Sequence, residues 1–281
     1  MKILFKTIER FVKERKIDLE KVNFDILLSQ DSTFIDKTIE TRDDNKKLAL
    51  IYLLSNENFN SEINRLARED AKEIISLVIE ANDRFQAKYG SIVATSSAVL
   101  ARKDAKEIIK LIINAKEEYQ SEYGYKVATN EAVLAREDAK EIINLITNAK
   151  GSYQAKYGYY VATNTAVLAR EDAKEIISLI TNAKGCYAIG SYQAVYGSYV
   201  ANYEKKIVRE DVKEIIRLIT NAEEKDQAKY GYKLATNETV LVREDVVEII
   251  RLITNAKGEY QAEYGYKLAT NETVLAREDA K

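Results

Sequence analysis

The chain of 281 residues has no histidine, no tryptophan and no proline, and it has one cysteine and one methionine. Each absence removes a chemistry. Without histidine there is no Ser-His or Cys-His nucleophile pair and no histidine-ligated zinc. The single Cys186 makes neither an intrachain disulfide nor a cysteine metal cluster, and such sparse cysteine suits a reducing compartment. Long apolar runs are missing too. The longest, Leu48 to Leu54, is far short of the roughly 20 residues that span a bilayer. Charges at Lys6, Glu9, Arg10 and Lys13 leave no apolar stretch for a secretory leader. The expectation is a cytoplasmic protein with no membrane partner. Charge of one sign is also lacking: 43 Lys+Arg face 45 Asp+Glu, for a net charge of −2. No positive excess draws the chain to nucleic acid or anionic lipid.

What is present is self-similarity. Arg-Glu-Asp, once Arg-Lys-Asp, begins at Arg68, Arg102, Arg136, Arg170, Arg209, Arg243 and Arg277, at intervals of 34, 34, 34, 39, 34 and 34 residues. The long interval holds a five-residue insert, Cys186-Tyr187-Ala188-Ile189-Gly190. Residues 67–281 therefore read as six tandem repeats and a truncated seventh, and residues 1–66 as a helical N-terminal cap. A degenerate copy of the repeat is legible in that cap at Arg42-Asp-Asp-Asn-Lys-Lys-Leu-Ala-Leu-Ile-Tyr-Leu-Leu54.

In the repeat that starts at Arg136, apolar residues recur at Ala139, Ile142, Ile143, Ile146, Ala149, Tyr153 and Tyr157, one face of a helix. Asp138 followed by Glu141 has capping-box spacing, and Gly158 offers a C-terminal stop. The pattern predicts one helix from Asp138 to Tyr157, roughly 20 residues or about 30 Å. Gly151 falls inside it, but the preceding repeat has Glu117 at that place, a residue that helices accept. Thr163 or Asn164 caps a second, short helix over Thr165–Arg170. Because Ala135, Ala139, Ile143 and Ile146 keep phase, a single helix of about 28 residues per repeat is the alternative. One repeat buries too few apolar side chains to offset the entropy of ordering it, so neighbours must share faces. The expected fold is all-α: an elongated α-solenoid of helix-turn-helix repeats.

Lys174-Glu-Ile-Ile-Ser-Leu-Ile, with Gln154-Ala-Lys-Tyr-Gly-Tyr159 upstream, resembles the second helix and finger of ankyrin repeats. The resemblance covers under half of each repeat. The chain lacks Thr-Pro-Leu-His and has a period of 34, against about 33 in that family. The period and the helix lengths are also similar to the DNA-binding repeats of bacterial effector proteins. Those vary the interhelix pair that here stays constant. Tetratricopeptide repeats share the period without sharing their signature residues.

The function expected from these features is a non-catalytic, ankyrin-like scaffold that binds another protein along one face. A nucleic-acid-binding array, or an inhibitor or effector that blocks a macromolecule, is the alternative. Nineteen tyrosines are present. Those at 89, 123, 157, 196, 230 and 264 always precede glycine and suit packing. Tyr125, Tyr159, Tyr232 and Tyr266 alternate with Ser91 and Ser198, which suits an exposed aromatic strip for a partner. A second variable row runs through Ser76, Lys110, Asn144, Ser178, Arg217 and Arg251. Of these, Lys110, Asn144, Arg217 and Arg251 are the candidates for setting partner choice. Glu137, Asp138 and Glu141 read as caps and as an Arg–Asp ladder between repeats rather than as a metal site. No catalytic, cofactor or metal residue is assigned. An enzyme would need its site in residues 1–66 or at Cys186, whose nearest cation is Lys184. Self-association through the C-terminal end is a further expectation, since the seventh repeat stops at Lys281.

Overall fold

The computed structural model describes residues 73–275 apart from 75, 79, 186–191 and 204–208. The N-terminal cap, the insert with Cys186 and the truncated seventh repeat lie outside the described residues. Every described element is a helix, and no strand occurs among the described residues. The chain divides into two compact bodies, Met1–Ile143 and Asn144–Lys281.

Each fully described repeat contains three helices. The first helices are α3 (Ala105–Ile113), α6 (Ala139–Thr147), α9 (Ala173–Thr181), α11 (Val212–Asn221) and α14 (Val246–Thr254). The second helices are α1 (Arg84–Ala94), α4 (Glu118–Ala128), α7 (Ser152–Ala162), α10 (Tyr192–Ala201), α12 (Lys225–Ala235) and α15 (Glu259–Ala269). One-turn helices follow: α2 (Ser97–Leu100), α5 (Glu131–Leu134), α8 (Thr165–Leu168), α13 (Glu238–Leu241) and α16 (Glu272–Leu275).

This corrects the reading of Asp138–Tyr157 as one helix, and it excludes the 28-residue alternative. The break falls at residues 148–151, between α6 and α7. Its cause is visible where the sequence suggested continuity. Glu117 is an N-cap in extended conformation (φ −127, ψ 154), closing a reciprocal capping box with Gln120. Asp83 with Gln86 and Glu224 with Gln227 do the same. Glu117 and Gly151 therefore mark a helix start, which a propensity argument cannot separate from a helix interior. At the equivalents of Asp138, the Asp–Glu capping box does not form: Asp104, Asp172, Asp211 and Asp245 make no side-chain cap bond. The short helix α8 is capped as expected, with Asn164 accepting from the Ala166 and Val167 amides at 2.9 and 3.3 Å, whereas Ser96 before α2 makes no such bond.

The first helices supply the core. In α9, Ala173, Ile176, Ile177 and Ile180 are fully buried, as are Ile108, Ile109 and Ile112 in α3. Each such isoleucine contributes about 1.5–3 kcal/mol relative to exposure. In the first body, α1 packs on α3 and α4. In the second, α7 packs on α9 and α10, α10 on α11 and α12, and α12 on α14 and α15, while α9, α11 and α14 meet in sequence order. Within the bodies, α1, α7, α10 and α12 thus each lean on the repeat that follows. Glycine makes this approach possible: a Cβ on Gly197 would lie 2.6 Å from Thr220 Cγ2 and 2.9 Å from Ile180 Cδ1. Gly158 likewise sits inside α7, so it is a packing residue and not the helix stop expected from its place after tyrosine.

Two polar devices fasten repeat to repeat. Buried Gln193 and Gln227 donate to the Ala222 and Ala256 carbonyls of the next repeat at 3.1 and 2.6 Å. Gln227 also accepts from its own loop amides at Glu223 and Glu224, both at 2.9 Å. The second device is Arg209. It holds Asp211 through Nε and Nη2 at 2.8 and 2.7 Å, and donates from Nη1 to the Leu241 carbonyl near the end of its own repeat at 2.6 Å. Arg102 does the same with Asp104 and the Leu134 carbonyl, and it also donates to the carbonyl of Arg136, the first residue of the next repeat, as Arg170 does to that of Arg209. The ladder between repeats is therefore built of arginine and backbone carbonyls, with aspartate orienting each guanidinium from within its own repeat. These hydrogen bonds hold Asp104, Asp172 and Asp211 below the usual carboxylate range, against an opposing push from burial.

Candidate interaction surface

Tyrosines emerge from the second helices because those helices bury only a narrow strip. In α7 the buried residues are Gln154, Ala155, Gly158, Val161 and Ala162. Small side chains and glycine bring the helix close to its neighbours, and the large residues between them are left outside. Tyr153, Tyr160 and Tyr199 are exposed to 46, 44 and 46%. Tyr119, Tyr203 and Tyr260 are also exposed.

In the second body the rings form a connected group. Tyr153 stacks on Tyr157 at 6.4 Å between centroids, and Tyr157 meets Tyr160 and Tyr199 edge-on at 5.9 and 6.2 Å. Tyr199 reaches Tyr232 at 5.8 Å, Tyr232 stacks on Tyr196 at 5.3 Å, and Tyr196 stacks on Tyr192 at 6.3 Å. Burial raises the Tyr157 phenol above its ordinary value, and Tyr199, which also hydrogen-bonds it, adds to the rise. Burial likewise raises Tyr196. These phenols stay protonated at neutral pH and remain hydrogen-bond donors. Lysines stand over the rings: Lys225 Nζ is 4.3 Å from the Tyr192 centroid and Lys156 Nζ is 5.8 Å from that of Tyr157.

The sequence-derived candidates fall in two places. Tyr125, Tyr159, Tyr232 and Tyr266 are half-buried, which corrects their expected exposure. Tyr125 stacks on Tyr89 of the preceding repeat at 4.8 Å, and Tyr266 lies 5.3 Å from Tyr230. Tyr159 packs beside Tyr160 at 5.3 Å. The row joins one repeat to the next and supports the exposed tyrosines. Of the second row, Lys110, Asn144 and Arg217 are exposed on first helices, whereas Arg251 is half-buried. Arg251 pairs with Glu214 at 3.2 Å and Glu248 at 2.8 Å. Arg217 borders a groove of about 540 Å³ with Leu145, Ser178, Leu179, Lys213 and Glu214. Tyr153, Tyr160 and Tyr199, the most open rings of this group, were not among the candidates. A signal was present for Tyr160 and Tyr199, whose place lysine fills in other repeats at Lys126, Lys233 and Lys267, but hardly for Tyr153, whose place is aromatic in every repeat except at Asp226.

Among the described residues no three His, Cys, Asp or Glu side chains stand close enough to hold a metal ion, and no helix is long and apolar enough to cross a membrane. No protein-family model matches the chain, and no curated protein or solved structure does either.

Proposed function

We propose that the chain is a non-catalytic scaffold, an α-solenoid of 34-residue repeats, that binds another protein along its second helices. The observation that carries this reading is the set of exposed tyrosines, Tyr153, Tyr160 and Tyr199. They lie on helices whose buried strip is made by smaller residues, so the fold does not require them. Tyrosine is enriched at the energetic centres of protein interfaces, offering area and a hydroxyl at low entropic cost. The partial likeness to ankyrin repeats and the cytoplasmic expectation support the same use. The test is capture of partners from a proteome by the full chain and by a Tyr153→Ser/Tyr160→Ser/Tyr199→Ser variant, each verified as folded by circular dichroism. Partners lost by the variant support the reading. An unchanged set of partners refutes it.

A second reading is self-association through α15. Tyr264 and Leu268 are 58 and 59% exposed, whereas their counterparts Tyr230 and Leu234 are buried. Sedimentation that stays monomeric at all concentrations, with or without Leu268→Glu, refutes it.

A further inference from the structure

We infer that α7, α10 and α12 together form a docking surface for an acidic, extended protein segment; this rests on the protein-binding reading and names its partner class. The three helices pack consecutively within the second body. Their charged residues are Lys156, Lys225, Lys229 and Lys233 against Asp226 alone. The first helices of the same body differ. There Arg217 and Arg251 lie against Glu214 and Glu248, so cation and anion neutralise each other. On the second helices Lys229 pairs with Asp226 at 3.6 Å, while Lys156, Lys225 and Lys233 lie against tyrosine rings. A ring over which an ammonium sits leaves the charge available to a visiting carboxylate.

The chain is close to neutral as a whole, at −2, so the cationic excess belongs to this surface. It coincides with nine tyrosines, three of them on α10 and four on α7. Their arrangement selects among anionic partners. Base stacking on single-stranded nucleic acid uses open ring faces. Here the faces are engaged: Tyr153 with Tyr157, Tyr192 with Tyr196 and Lys225, and Tyr196 with Tyr232. Ring edges, which carry the positive end of the quadrupole, and hydroxyl donors suit carboxylates and peptide carbonyls. Apolar side chains placed between the acids of the partner would pack against exposed rings such as Tyr160 and Tyr199.

The test uses the full chain and fluorescence anisotropy. The probes are a labelled peptide of repeated Glu-Glu-Leu, a Lys-Lys-Leu counterpart, and an oligothymidylate of similar length. The acidic peptide is expected to bind saturably and the basic peptide not at all. Lys156→Glu/Lys225→Glu/Lys233→Glu is expected to weaken the acidic peptide by about tenfold or more. The Tyr153→Ser/Tyr160→Ser/Tyr199→Ser variant is expected to weaken it as well. Tighter binding of oligothymidylate than of the acidic peptide overturns the inference, as does indifference to the lysine reversals or an absence of saturable binding. Partner capture separates the two levels. If the tyrosine variant loses proteome partners while the lysine variant keeps them, the acidic partner falls and the protein-binding reading stands. If neither variant loses partners, both fall.

Discussion

Gly231 gives the sharpest test of how repeats are joined, because local and tertiary physics disagree about it. It sits inside α12, where alanine is favoured over glycine by about 0.5–1 kcal/mol. The packing argues the opposite way. A Cβ there would lie 2.6 Å from Thr254 Cγ2 of the next repeat and 3.3 Å from Ile219 Cγ1 of its own. Forcing one methyl into such a contact costs typically 1–3 kcal/mol, so Gly231→Ala is expected to destabilise by about 1–2 kcal/mol after the propensity gain. Thr254→Ser deletes the opposing methyl and keeps the hydroxyl bond to the Ile250 carbonyl at 3.0 Å. Alone it leaves a small void in a site only 3% exposed, at about 0.5–1.5 kcal/mol by analogy with Ile→Val. Combined, the new methyl occupies the vacated space. The double variant is then expected to be at least as stable as Thr254→Ser, with a favourable coupling of about 1–2 kcal/mol. Urea denaturation of the four proteins, followed by far-ultraviolet circular dichroism, completes the cycle. A Gly231→Ala protein more stable than the parent, or effects that simply add, would refute the close approach of α12 and α14.

Acid is expected to loosen the repeats. Asp104, Asp172 and Asp211 titrate below their ordinary value of 3.8 when folded, chiefly through hydrogen bonds from Arg102, Arg170 and Arg209. Their stabilisation is complete above that value and is lost as pH falls through the lowered folded-state values. The thermal midpoint of the parent should drop below about pH 4 more steeply than that of the Asp104→Asn/Asp172→Asn/Asp211→Asn variant; parallel profiles would dismiss the aspartates as the cause. The glutamine fastener should be position-dependent. Gln193→Ala leaves the Ala222 carbonyl without its donor in a buried site and should cost about 1–3 kcal/mol. Gln261, exposed on α15, should tolerate alanine within about 0.5 kcal/mol. Equal losses in denaturation midpoints would show that the loop cap, and not the bond to the next repeat, is what glutamine supplies.

Several features were legible without coordinates. The apolar spacing Ala173, Ile176, Ile177, Ile180 reads as one helix face because helical periodicity is local, and α9 buries those residues. Asn164 reads as a cap because an amide before a short apolar run has few other uses. The helix break at residues 148–151 was not legible. Ala149, Tyr153 and Tyr157 continue the apolar phase of α6 by coincidence, and neither glutamate nor glycine at the break distinguishes a helix start from an interior. The glycine after each tyrosine was misread for a related reason. A stop and a close contact both demand a missing side chain, and only the neighbouring helix tells which applies. For Gly158 that neighbour is Thr181, whose Cγ2 lies 2.6 Å from where a Cβ would stand.

The sequence by itself determined the 34-residue period, the helical class and the lack of histidine chemistry, since composition and local periodicity do not depend on what touches what. The tertiary structure alone decided which tyrosines face outward, which arginine groups reach the next repeat and where cations meet rings instead of carboxylates. Those outcomes depend on contacts between residues some thirty positions apart, such as Gln193 with Ala222, and no window along the chain contains both partners.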